Sequence, residues 1–186
     1  MIETLLLSLA SPFLSDRKLT RIARVDPRLQ AAYADFMASP RPVVLATVHF
    51  AYWECETWLP LLLGYPLPGT GVIFRPLDNA SADAWLKKTR ERFGLRLLSR
   101  KEGFADALKM LRNNGTVALL FDQNAGMQGA LTTCFGRVCS TTELPGLLAE
   151  KFGAEVHAIY PRRLGFWRVV LEMEKVGADG SAAGTT

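Results

Sequence analysis

His49 closes the apolar run V-V-L-A-T-V, and Glu54 follows five residues later. The chain carries only two histidines, so this placement invites a chemical reading. A carboxylate on one imidazole nitrogen fixes the tautomer and stabilises the imidazolium, and the other nitrogen is then free to take a proton from a hydroxyl. On a regular helix, residues five apart point about 140° apart, at about 100° per residue. His49 is therefore expected on a strand end or turn, with Glu54 in the first helical turns beyond it. Glu56, seven residues on, would share a helical face with His49 and is the rival partner. The competing account is a core histidine that happens to precede a helix, because H-x4-E arises readily by chance. Cys55, beside the motif, reads as a small buried hydrophobe rather than a nucleophile. His157 falls inside a later apolar stretch, and no usual metal-ligand spacing is present, so no metal or cofactor is expected.

Positioning these groups requires a scaffold, and the chain spells one out. VVLATV (43 to 48) is a continuous β-branched run, the pattern of a strand buried on both faces. A helix is expected over about 51 to 63, ended or kinked near Pro60. G-T-G-V-I-F-R-P reads as a second strand ending at Arg75-Pro76, and a helix closed by Gly94 follows. L-R-L-L-S, a helix stopped by Gly115, and T-V-A-L-L-F continue the alternation, the last run ending at Asp122-Gln123. Beyond the Gly-rich loop N-A-G-M-Q-G, a hairpin is expected around Gly136-Arg137, then a helix with Thr141 or Thr142 as N-cap. E-V-H-A-I-Y-P-R-R and F-W-R-V-V-L-E-M-E-K-V close the sheet. Strands alternating with helices predict an α/β fold with a mainly parallel central sheet flanked by helices. In such sheets ligands sit outside the C-terminal strand ends. His49, Arg75 and Asp122-Gln123 each follow an apolar run, so they are expected to converge on one edge.

The bulk numbers narrow the function classes. With 186 residues, 49% hydrophobic and 22% charged, the chain suits one domain with a real core. The expected organisation is a helical segment over 1 to 40, an α/β core over 41 to 176 and a frayed tail over 177 to 186. The net charge of +4 favours an anionic partner, but no zinc finger, RNP or basic-helix motif argues for nucleic acid. Three cysteines without CxxC spacing point to a reducing compartment. The N-terminal apolar run is about ten residues, against about 20 for a membrane span, and Glu3 does not suit a signal peptide. This segment is read as an amphipathic helix, packed on the domain or dipping into a membrane interface.

The quoted residues resemble the bacterial lipid A biosynthesis acyltransferases, within the glycerolipid and lysophospholipid acyltransferase superfamily. His49 to Glu54 matches the superfamily's H-x4-D/E mark. F-R-P-L-D-N (74 to 79) resembles the family's Arg-Pro block and R-E-R-F-G (90 to 94) the segment after it. L-L-F-D-Q-N-A-G-M-Q-G (119 to 129) resembles the Asp-Gln block, and C-F-G-R-V-C-S-T (134 to 141) the Phe-Gly segment. Four blocks in order over roughly 40 to 165 are far more specific than H-x4-E alone. The resemblance implies a glycerol-3-phosphate acyltransferase-like fold, with His49 as general base and Glu54 orienting it. The acyl donor would be a thioester of acyl carrier protein or CoA, and the acceptor a lipid or glycolipid hydroxyl. Arg75 would bind phosphate. Asp122, Gln123, Gly129, Gly136 and Thr141 would belong to the substrate site. A peripheral position on the cytoplasmic face of the inner membrane follows, with Arg75, Lys87, Lys88, Arg90, Arg137, Arg162 and Arg163 expected around the site mouth, facing anionic lipid.

The chain departs from the family pattern in places. Ala51-Tyr52 stands where the family has Gly-Asn, and a bulkier Tyr52 is expected to narrow the pocket or touch a different acceptor. Leu131-Thr132-Thr133-Cys134 replaces an apolar run. The family pattern extends past both ends of this chain, which is therefore expected to be incomplete relative to it. Two other readings stay open at this point: a thioesterase-like hydrolase with water as acceptor, and a non-catalytic lipid- or carrier-binding relic.

Overall fold

The structure, a computed structural model, describes residues 2–49, 51–67, 69–100 and 103–177. The expected frayed tail, from 178 onward, lies outside them. Three helices lead the chain: α1 (Ile2–Ala10), α2 (Asp16–Ile22) and α3 (Pro27–Ala38), with a short strand β1 (Ala23–Val25) between the last two. Asp26 caps the start of α3: its Oδ1 accepts the Arg28 N–H at 2.8 Å, and Pro27 supplies a helix-ready φ. The strand β1 was not foreseen. Its three residues sit in a polar stretch and gain their place by pairing with a strand about 145 positions later.

The core then alternates. It runs β2 (Val43–Thr47), a 3-10 helix (Trp53–Trp58), α4 (Leu59–Leu63), β3 (Thr70–Phe74), α5 (Ala80–Arg90), β4 (Arg96–Ser99), α6 (Phe104–Arg112) and β5 (Thr116–Leu120). A hairpin of β6 (Ala130–Cys134) and β7 (Arg137–Thr141) follows, then α7 (Leu144–Phe152), β8 (Glu155–Gly165) and β9 (Arg168–Lys175). Seven strands form one sheet in the order β1-β9-β8-β2-β5-β3-β4, and β6 and β7 stand apart as a ribbon. The pairs β2–β5, β2–β8, β3–β5, β3–β4 and β1–β9 are parallel; β8–β9 is antiparallel. The sheet is mainly parallel and flanked by helices, as expected.

Alternation along β2 shows why its sequence is unbroken apolar. Val43 and Leu45 join the core with α1, α3 and the 3-10 helix, and Val44 joins the core under α6 and α7. Each fully buried Val or Leu contributes about 1.5–3 kcal/mol relative to exposure, so a polar replacement on either face would unseat the central strand. Gly115 lets α6 turn directly into β5, because a Cβ there would lie 2.6 Å from the Gly69 carbonyl oxygen.

Three local expectations need correction. The helix expected over 51 to 63 is a six-residue 3-10 helix running into α4, and Pro60 lies in the first turn of α4 rather than ending it. Proline's missing N–H is harmless there. The hairpin turns at Phe135-Gly136, both at positive φ (51° and 74°), one residue earlier than expected. The N-cap of α7 is Glu143; Thr142 Oγ1 accepts the Leu144 N–H at 3.3 Å, and Thr141 belongs to β7.

Candidate active site

Register decides which groups meet. Thr47 pairs with Leu120 in the parallel β2–β5 ladder, and the Phe121 N–H continues it to the Thr47 carbonyl at 3.1 Å. His49 and Asp122 are each two residues past that pair, so they leave the sheet side by side. His49 Nδ1 lies 2.7 Å from Asp122 Oδ1, and the His49 backbone N–H donates to Asp122 Oδ2, also at 2.7 Å. The carboxylate therefore fixes both ring and backbone. Burial raises the Asp122 pKa, but the two His49 hydrogen bonds outweigh it and hold the carboxyl below its usual range. With Nδ1–H donating to Asp122, Nε2 is left as the acceptor. Both side chains remain about one-third exposed (33% and 31%), so substrate can reach the ring.

Glu54 does not do what the H-x4-E spacing suggests. Its carboxylate is held by Arg90, with Nε at 3.1 Å from Oε2 and Nη2 at 2.7 Å from Oε1. The cause is local. Ala51 adopts a left-handed φ of 50°, which turns the chain sharply after the strand, and the tighter 3-10 helix directs Glu54 toward the end of α5. Both members are only 13% exposed, a two-pronged ion pair in a largely dry setting. The Arg90 guanidinium also lies 4.8 Å over the Trp53 ring, and Trp53 meets the His49 ring edge-on at 5.2 Å. Glu54 thus reaches His49 only through Arg90 and Trp53. Sequence reasoning gave Arg90 a place in a basic cluster and in the R-E-R-F-G segment but no partner, because its contact with Glu54 spans 36 residues.

The other candidates divide. Arg75 directly follows β3, beside β5 on the same edge, exposed and without an ion pair among the described residues. Gln123 is exposed next to Asp122. Gly129 and Gly136 show structural reasons for being glycine. A side chain at Gly129 would strike Ser140 and, at 2.8 Å, the Thr141 carbonyl oxygen, and Gly136 completes the hairpin turn. Thr141, half-buried at the end of β7, contacts Cys139 Sγ at 3.8 Å. No hydrogen bond among the described residues joins Gln123, Gly129, Gly136 or Thr141 to His49. The expected basic cluster is partly neutralised: Arg90 pairs with Glu54, Arg162 with Glu172 and Arg163 with Glu3.

His49 opens onto a cleft of about 650 Å³, lined by Leu5, Leu9, Trp53, Trp58, Trp85 and Leu86 among others. This is the size and character of a small-ligand site. Behind Trp53 lies a slot of about 30 Å³ lined by Tyr33, Leu45, Thr47, Glu56 and Ala118, room for about one water molecule rather than a chain. Glu56 is not His49's partner either: it accepts from Thr47 Oγ1 at 2.7 Å. Burial, partly offset by that bond and reinforced by Glu54, pushes its pKa up to about 8. Cys55 is fully buried, which raises its thiol pKa well above the ordinary value and keeps it protonated. Tyr52, 2% exposed, packs its ring in the core and turns its hydroxyl to Glu3, and it also lines the cleft beside His49. Among the described residues no three His, Cys, Asp or Glu side chains gather as a metal site.

The family model for bacterial lipid A biosynthesis acyltransferases matches residues 28–168, which include β2 to β8, His49, Glu54, Arg90 and Asp122. The chain belongs to this family. No curated protein matches it closely enough to add a named relative. Membership implies acyl transfer to a lipid A-like acceptor. No helix among the described residues is long and apolar enough to cross a membrane.

Proposed function

We propose that this protein moves a fatty acyl group from a thioester, carried by acyl carrier protein or CoA, to a hydroxyl of a lipid A precursor-like lipid or glycolipid. The observation that carries the reading is the Asp122–His49 pair at the mouth of the apolar cleft. His49 Nε2 takes the proton of the acceptor hydroxyl as its oxygen attacks the thioester carbonyl. A C–O bond forms, the C–S bond breaks, and the leaving thiolate takes the proton back from the imidazolium. Asp122 balances the charge on the ring while it is protonated. Glu54 contributes through Arg90 and Trp53, by holding the wall against which the imidazole rests. Arg75, on the same edge, is placed to meet a phosphate of donor or acceptor, and Gln123 lies beside it; Gly129, Gly136 and Thr141 shape the loop and hairpin that flank this edge.

The same reading places the protein on the cytoplasmic face of an inner membrane as a peripheral enzyme. Ile2, Leu5, Leu6 and Leu9 expose one apolar face of α1, and Phe13 extends it. Leu5 and Leu9 also line the cleft, so an acyl chain could pass between site and bilayer without crossing water. The test is product analysis with a panel of acyl-carrier and CoA thioesters, with and without lipid A precursor acceptors. Acyl-acceptor product supports transfer. Free fatty acid released at the same rate without acceptor would replace it by hydrolysis.

A further inference from the structure

We infer that Tyr52, Glu3 and Arg163 form a clasp through which α1 positions the His49 loop and stands as one wall of the cleft. The Tyr52 hydroxyl donates to Glu3 Oε2 at 2.6 Å and accepts the Trp167 N–H at 3.3 Å. Arg163 Nη2 donates to both Glu3 oxygens, at 2.9 and 3.2 Å, and its Nε reaches Oε2 at 3.3 Å. Thr4 Oγ1 donates to the Ala51 carbonyl at 2.9 Å, and Trp167 Nε1 to the Glu3 carbonyl at 3.3 Å. Three segments remote in sequence therefore meet at one carboxylate: α1, the loop three residues past His49, and the end of β8.

Two features make this more than incidental surface pairing. First, α1 has little else to hold it. Leu7 is its one buried residue, while Ile2, Leu5, Leu6 and Leu9 face outward. One buried leucine is a small anchor for a nine-residue helix, which leaves the bonds made by Glu3 and Thr4 to fix its position. The clasp therefore decides where the helix sits. Second, the clasp grips strained backbone. Among the described residues four non-glycines take positive φ, and Ala51 (50°) and Trp167 (49°) are the two that bond to α1. Such conformations persist only where their surroundings over-determine them. Within the clasp, Tyr52 matters most. Its ring is buried and its bond is partly buried, whereas Arg163 is about half exposed, where an ion pair is weak. The Tyr52 bond, then that of Arg163, holds the Glu3 carboxyl below its usual pKa range. The inference rests on the acyl-transfer reading only for its rate readout.

The test uses the full chain and the variants Tyr52→Phe, Glu3→Ala and Glu3→Gln. Tyr52→Phe keeps the buried ring and removes only the hydroxyl. Amide hydrogen exchange over residues 2–10 should speed up by about 10- to 100-fold in Tyr52→Phe and Glu3→Ala, the span of a hydrogen bond to a charged group. Glu3→Gln still accepts from Tyr52 and should stay closer to the parent. In acyl transfer, kcat should fall in the first two variants while the unfolding midpoint of the core strands holds, and Glu3→Gln should recover most of the rate. Unchanged exchange in both Tyr52→Phe and Glu3→Ala would overturn the clasp, and so would parental kcat in a variant whose α1 has loosened. The exchange readout needs no substrate, so failure of the clasp and failure of the acyl-transfer reading give different results.

Discussion

The molecule holds two histidine–carboxylate pairs, at opposite edges of one sheet. His49 and Asp122 leave the C-terminal ends of β2 and β5, one-third exposed, with a cleft before them. His157 and Glu155 sit at the start of β8, beside Leu45 and Val43 of β2. There Nε2 lies 3.0 Å from Glu155 Oε2, and the His157 side chain is 7% exposed. Glu155 is also paired with Arg41 at 3.1 Å and Lys175 at 2.9 Å, and Phe36 covers the His157 ring edge-on at 5.1 Å. The two pairs share a contact and differ in access. One imidazole keeps a nitrogen for substrate. The other is enclosed: burial lowers its pKa against the pull of Glu155, which keeps it neutral. A histidine beside a carboxylate is thus no signature of catalysis until the edge it occupies is known.

The largest contrast should come from removing each pair in turn. His49→Ala should lower acyl transfer by ~10²–10⁴-fold, the range of general-base catalysis, and Asp122→Asn by ~10–100-fold, as the charge-assisted bond is lost. Steady-state kinetics at matched folding measures both; a fully active His49→Ala would end the mechanism. Glu54→Gln tests a different kind of site residue. It leaves Arg90 partly buried without its counter-charge, and breaking a buried pair costs about 3–5 kcal/mol. Partial exposure reduces this, so a fall of a few kcal/mol in urea unfolding should accompany any loss of rate. Full stability with selective loss of kcat would instead bring Glu54 back to direct work on the imidazole.

His157→Gln should do the opposite of His49→Ala: activity per folded molecule stays, and stability falls by about 1–2 kcal/mol, the order of one lost buried hydrogen bond. The last effect is in pH. Burial raises Glu155, but bonds from His157, Lys175 and Arg41 prevail and bring it down to about 2. Its contribution is present above the unfolded value of 4.5 and is lost as pH falls through about 2. His157, with a lowered pKa, disfavours the folded state as pH drops below 6.5, in the same direction. Glu56 has the reverse sign: its contribution is full below 4.5 and lost as pH rises through about 8. Glu56→Gln should therefore flatten the stability profile between pH 4.5 and about 8, where the slope is at most about 1.4 kcal/mol per pH unit. An unchanged profile between pH 5 and 9 would deny the burial of that carboxyl.

Much of this was legible in the residues. V-V-L-A-T and T-V-A-L-L announced central strands because both faces of each are covered, and the alternation gave the parallel sheet. The pairing of His49 with Asp122 was legible in principle too: each follows its strand by two residues, and in-register parallel neighbours with equal offsets end side by side. What hid it was the nearer Glu54, whose direction depends on the left-handed turn at Ala51. An alanine gives no warning of positive φ, as a glycine would. Arg90, Glu3 and Arg163 were hidden for another reason. Their partners lie 36 to 160 residues away, and no local period records such contacts.

That last separation has a consequence in time. Glu3 is fastened by a residue 160 positions later. At ~5–20 residues per second of synthesis, the first helix waits roughly 10–30 s for its anchor. Through that interval its leucines have no clasp, and the cleft has no wall on that side. A newborn chain therefore carries an unclaimed apolar helix well before it holds a finished site, and whichever surface it meets first, a bilayer or a chaperone, acts on a protein that cannot yet work.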